Sequence, residues 1–154
     1  MNKIFFSTII GVTLIFLLSP VYAETIDLNI GTVELPNGYR QERTGTKDSE
    51  RGQIISANGM LTINYDIGFS AGVHMHPKLK EECLWYREQT INGRKVSSGI
   101  MNQDEKKQLI ITITEEKQKG AFQFPANFWA DFDRDEEIGE IMLIALSYSP
   151  HPGK

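Results

Sequence analysis

His74-Met75-His76 is the stretch whose residue types most directly invite chemistry. In an extended segment alternate side chains point to one side, so the two imidazoles can share an ion. Cys83, Met75 and Met101 add soft donors of the kind copper accepts. Of the three histidines and one cysteine in the chain, a copper or zinc site would therefore use His74, His76 and Cys83. A metal site takes three or four ligands, and two imidazoles fall short of that count. A solvated loop whose histidines bind nothing is the simpler account.

Other chemistries have less to stand on. Cys83 precedes Leu84 and Trp85 and reads as a small buried hydrophobe. A Cys–His dyad with His74 or His76 lacks any local signature around the cysteine. His151 falls in a tail expected to fray. Asp131, Asp133, Asp135, Glu136 and Glu137 form an acidic cluster, but without the glycine and glutamate spacing of a calcium loop. Helix capping explains the cluster instead. No nucleophile elbow, phosphate loop, dinucleotide fingerprint or zinc-protease motif occurs, so the expectation is a protein without catalytic residues. Trp85, Tyr86 and Trp129 are the large side chains best suited to contact a ligand if they are partly exposed.

Composition narrows the partners. The chain opens with Lys3, an apolar run over residues 4–18 and the small-residue site Val21-Tyr22-Ala23. This pattern predicts a secretory signal peptide over residues 1–23 and a periplasmic or secreted product. No cysteine stands at the processing point for lipid attachment. The remaining 131 residues, 24–154, suffice for a single domain. They carry 15 basic and 20 acidic residues, a net charge of −5. That surface does not suit nucleic acid or anionic lipid, and no stable membrane insertion is expected after the signal. With one cysteine there is no internal disulfide, so stability must come from the core.

The elements that must position these residues are mostly strands. Residues 51–68 read as two strands meeting at Asn58-Gly59, the pair favoured in a type I′ turn. Setting Ala57 opposite Met60 pairs Ile54 with Ile63 and Gly52 with Tyr65 on an apolar face. Gln53 then meets Asn64, and Arg51 meets Asp66, on a polar one. Residues 83–101 repeat this grammar around Asn92-Gly93, with Trp85 beside Ile100, Tyr86 beside Gly99 and Leu84 beside Met101. The open end of that hairpin is apolar on both faces and is expected to be buried. Residues 26–30, 32–35 and 39–42 suggest shorter strands, and 69–77 a loop.

Residues 108–114 form a β-branched run with Leu109, Ile111 and Ile113 on one side. After a charged turn at 115–120, Phe122, Phe124, Ala126, Phe128, Ala130 and Phe132 alternate on one face while Gln123, Asn127 and Asp131 point away. Pro125 cannot donate to a ladder, so the strand is at an edge or interrupted there. Asp133 then reads as an N-cap, with acidic residues in the first helical turn. Ile138, Ile141, Met142, Ala145 and Leu146 make an inward stripe. Leu143 and Ile144 widen that stripe, so residues 141–148 fit either a covered helix or a buried strand. Leucine, methionine and alanine favour the helix. The fold class is α+β, an antiparallel sheet of six to eight strands built from hairpins, with a C-terminal helix packed on it.

Three features together resemble the PsbP-like fold: Leu35-Pro36-Asn37-Gly38-Tyr39 opening a β-meander, the strand Phe128-Trp129-Ala130-Asp131-Phe132, and a closing helix that ends in Ala145-Leu146-Ser147-Tyr148-Ser149-Pro150. The chain also resembles small exported bacterial proteins that carry a hairpin like Tyr65-Asp66-Ile67-Gly68. In plants PsbP itself assists photosystem II; the resemblance implies a fold and carries over no residue role. The expectation is an exported, non-catalytic binding or accessory module without a cofactor. Its partner would be a protein or small ligand held on the sheet. The alternative is a periplasmic copper or zinc protein using His74 and His76.

Overall fold

A computed structural model describes residues 23–45, 48–115 and 124–151. Alternation and turn chemistry generate ten strands and one α-helix. β1 (Ala23–Asp27), β2 (Gly31–Pro36) and the short β10 (Ser149–Pro150) form a three-stranded sheet in the order β1-β2-β10. The main sheet comprises β3 (Arg40–Arg43), β4 (Ser49–Ile55), β5 (Thr62–Gly68), β6 (Trp85–Ile91), β7 (Arg94–Gln103), β8 (Lys106–Glu115) and β9 (Ala126–Phe132). Its order is β3-β4-β5-β9-β8-β7-β6, and every neighbouring pair is antiparallel. Two meanders, β3-β4-β5 and β6-β7-β8, are thus joined by a strand that comes after both.

The fold is α+β, as expected, with seven strands in the main sheet and a smaller second sheet that the residue pattern did not separate. β9 begins at Ala126, immediately after Pro125, and is central rather than at an edge. Phe122 and Gln123 lie outside the described residues.

One face of the main sheet is the core. Ile54, Ile63, Tyr65, Phe128, Leu109, Ile111 and Val96 project there and pack with Leu28, Val33 and Leu35 of the small-sheet segment and with Ile141, Ile144 and Ala145 of the helix. The helix α1 spans Asp135–Leu146, so residues 141–146 are helical, and Leu143 on its outer side is 68% exposed. The start is one residue later than expected. Arg134, not Asp133, is the N-cap. The carboxylate of Glu137, three residues on, accepts the backbone N–H groups of Asp133 and Arg134 at 3.0 and 3.2 Å and pairs with the Arg134 guanidinium at 2.9 Å. An arginine cap has no acceptor to offer, so the glutamate supplies the reciprocal half of a capping box alone.

The central hairpin has the expected register from Arg51↔Asp66 to Ile55↔Thr62, and Arg51 Nε lies 2.9 Å from Asp66 Oδ2. Its turn is different. Only Gly59 has positive φ, at 71°, and Asn58 does not. The Gly59 N–H donates to Ser56 O at 2.9 Å, while Asn58 Oδ1 accepts from the Met60 N–H at 2.9 Å and from Ser56 Oγ at 2.8 Å. These side-chain bonds hold Asn58 at negative φ and open the connection to four residues. The type I′ geometry occurs at the other pair, where Asn92 has φ 52° and Gly93 φ 74° in a two-residue loop between Ile91 and Arg94.

His151, expected in a frayed tail, is held by two contacts. His151 N–H donates to Ile30 O at 3.0 Å, and its Nε2 lies 3.2 Å from Asp27 Oδ1.

Candidate functional site

The second face of the main sheet carries the residues of interest. Because all ladders are antiparallel and in register, two rows cross it. One row runs Gln53, Asn64, Trp129, Ile110, Gly99, Tyr86. The other runs Arg51, Asp66, Asn127, Thr112, Ser97, Glu88 along the same pairings. Side chains two residues apart share a face, so both rows are on the side away from the helix.

The second row is polar, yet its centre is buried: Asp66, Asn127, Thr112 and Ser97 are all in the interior. The cover is the loop between β5 and β6. His74 N–H donates to Asn127 Oδ1 at 3.0 Å and Met75 N–H to Thr112 Oγ1 at 2.8 Å. Thr112 Oγ1 donates to Asn127 Oδ1 at 2.7 Å, and Asn127 Nδ2 donates to the carbonyls of Asp66 at 3.2 Å and Gly72 at 3.1 Å. A segment without strand or helix periodicity thereby has its backbone groups satisfied by side chains of the sheet. Within this network Asp66 Oδ1 is buried without a hydrogen-bond donor. Asn127 was expected only to point away from the core; its burial depends on where the loop returns, which local alternation does not encode.

The predicted contact residues divide between surfaces. Trp129 is half-buried at the middle of the first row, its ring 4.9 Å from that of His74 at an angle of 58°. Tyr86 lies on the same face, and its hydroxyl donates to Glu88 Oε2 at 3.1 Å. Trp85 projects to the opposite side. β6 is the outermost strand of the sheet, so the open end of its hairpin is exposed rather than buried, with Leu84 at 59% and Trp85 at 39%. An edge position is a property of the whole topology, and apolar residues at the end of a hairpin do not reveal it.

The predicted metal ligands are near one another in the chain but play different local roles. The His74 pKa is held below 6.5, chiefly by burial, against an opposing attraction from Asp66. His76 precedes the 3₁₀ helix Pro77–Glu82, and Cys83 closes it, donating its N–H to Lys80 O at 3.4 Å. Burial pushes the Cys83 thiol up, with a smaller contribution from Glu82. Among the described residues no three His, Cys, Asp or Glu side chains gather as a metal-binding group. Met75, completely buried, and Cys83 each bring a sulfur close to Gly99. The approach of both sulfurs to one strand glycine has no short-range sequence signal.

A cleft of about 340 Å³ opens beside Asn64, lined also by Thr62, Asp131, Arg134 and Glu137. A second of about the same volume lies at the other end, among Asn29, Glu50, Gly68, Phe69 and Phe124. One of its two carboxylates is already engaged, since Glu50 accepts from Asn29 Nδ2 at 2.9 Å and lies 3.3 Å from Arg43 Nε; the other is Asp48. No helix among the described residues is long and apolar enough to cross a membrane. No protein-family model matches this sequence, and no curated protein matches it.

Proposed function

We propose that this chain is an exported, non-catalytic binding module that holds a protein or small ligand against the open face of its main sheet. The observation that carries the reading is the position of Trp129. A large aromatic side chain stands half-buried near the middle of a face that also carries Gln53, Asn64, Gln108 and Asp131, with Ile110 directly beside it, where the helix face would have buried it. Aromatic anchors surrounded by amides and carboxylates combine apolar contact with directional hydrogen bonding. The cleft beside Asn64 has a volume within the usual range for small-ligand sites, about 300–1,000 Å³. Tyr86 extends the same surface, and Trp85 offers a second contact at the edge. Export is supported by the signal-like residues 1–23, and the accessory character by the PsbP-like resemblance.

The test uses the exported protein as bait in a periplasmic extract, together with Trp129→Ala and Trp85→Ala. Thermal melts first establish that both variants fold. Capture of a defined partner or ligand by the parent and its loss in Trp129→Ala is the expected result. Equal capture by the parent and Trp129→Ala would remove the open face as the binding surface.

A further inference from the structure

We propose that Met75, Cys83 and Met101 form a site for one soft monovalent cation, copper(I) in kind. The inference rests on sulfur placement and is independent of the binding-module reading.

Gly99 lies within β7 and its missing side chain would point to the open face. The place a Cβ would occupy is 3.0 Å from Met75 Sδ, 2.8 Å from Met75 Cε and 2.9 Å from Cys83 Sγ. Both sulfur atoms therefore lie within 3.0 Å of one point above the strand. A glycine inside a strand weakens it and often marks a place where another group must approach closely; here the approaching groups are a thioether and a thiol. Met101 follows two residues later on the same face of β7 and is half-buried. The register thus puts a third sulfur-bearing side chain on that face, two residues from Gly99.

The cluster is positioned in advance. Met75 is anchored through its N–H to Thr112 Oγ1, and Cys83 is fixed at the end of the 3₁₀ helix. Cys83 is half-buried, next to the exposed Leu84, which leaves a route from solvent.

Donor chemistry selects the ion. Thioether and thiolate sulfur favour copper(I), whereas zinc sites need several imidazoles, thiolates or carboxylates. Among the described residues no such group assembles, and the His74 ring packs on Trp129 instead. Ligation releases one proton from the Cys83 thiol to solvent as the S–metal bond forms. A monovalent ion and one thiolate then sum to zero charge, which avoids the cost of burying an uncompensated ion. A divalent ion would leave a net positive charge beside Met75.

The experiment is anaerobic titration of the purified protein with copper(I) against a colorimetric chelator, and with silver(I) as a redox-inert probe. One equivalent should bind, and silver(I) should raise the melting temperature where zinc(II) does not. Cys83→Ser and Met75→Leu should each weaken binding at least tenfold, with His76→Ala unchanged. Met75→Leu conserves volume, and Cys83→Ser, at a half-buried position, provides a second variant should the first fold poorly. Absence of stoichiometric binding would overturn the proposal. So would affinity unchanged by Cys83→Ser, or a dependence on His76→Ala without one on Met75→Leu, which would favour the histidine pair.

Discussion

Met75 N–H donates to Thr112 Oγ1 across 37 residues of sequence at 2.8 Å, and Thr112 passes the contact to Asn127 at 2.7 Å. This chain of bonds fastens the β5–β6 loop to the two central strands. Removing the Asn127 side chain would take away the acceptor of the His74 amide and Thr112 hydroxyl and the donor to the Asp66 and Gly72 carbonyls. Leaving buried polar groups unpaired costs about 1–3 kcal/mol each and the losses do not add fully, so Asn127→Ala should destabilise by about 2–4 kcal/mol. Thr112→Val should cost about 1–2 kcal/mol and act locally. Hydrogen exchange is the discriminating measurement: the His74 and Met75 amides should lose protection in Thr112→Val while those of β4 keep theirs.

Glu137 organises the helix start from a buried position. Its carboxyl is held below the usual carboxylate range, first because the Asp133 N–H donates to it and further by Arg134. A depressed carboxyl pKa stabilises the fold above the unfolded-state value and is lost as pH falls through the folded one. Glu137→Ala should therefore cost about 1–2 kcal/mol at neutral pH. The difference from the parent should shrink as pH is lowered below 4. Chemical denaturation at pH 7 and at pH 3.5 would show both effects, and an equal difference at the two would count against them.

His74 predicts a second pH dependence at milder acidity. Its pKa is lower in the folded state than the ordinary 6.5, so between these values the unfolded chain binds the extra proton. Stability is fully present above about 6.5 and declines as pH falls toward the folded value. Melting temperatures compared between pH 7.5 and 5.5 should drop less in His74→Gln than in the parent.

How much of this was legible in the residues depends on range. The register of both hairpins follows from counting outward from Asn-Gly pairs, and it includes the Arg51–Asp66 ion pair and the bond from Gln53 to Asn64 Oδ1 at 3.0 Å. The turn at Asn58 differs because Ser56 and Met60 bond its side chain, a competition that the dipeptide alone does not display. The exposure of Trp85 and the burial of Asn127 depend on strand order and on the path of one loop, and both are settled by contacts far apart in the chain. The sulfur cluster belongs to the same class: Met75 and Met101 were candidate donors by type, and only the fold sets Met75 and Cys83 over Gly99.

The signal-like start carries its own test. Cleavage after Ala23 gives a mature protein that begins at Glu24, and intact mass of the exported form measures this directly. Retention of residues 1–23 in that form would contradict it.

The placement of β9 between β5 and β8 governs when the molecule can fold. Each meander forms from neighbours in sequence, but neither has a partner along its inner border until residues 126–132 have been made. The β10 contact with β2 closes later still. Long-range pairing of this kind slows folding, because the loop must close before the contacts reward it. A ribosome-bound chain lacking its last strands holds two incomplete sheets and no shared core. Commitment to the native state waits for the C-terminal segment, so the order in which the chain is completed and the order in which its sheet closes are the same.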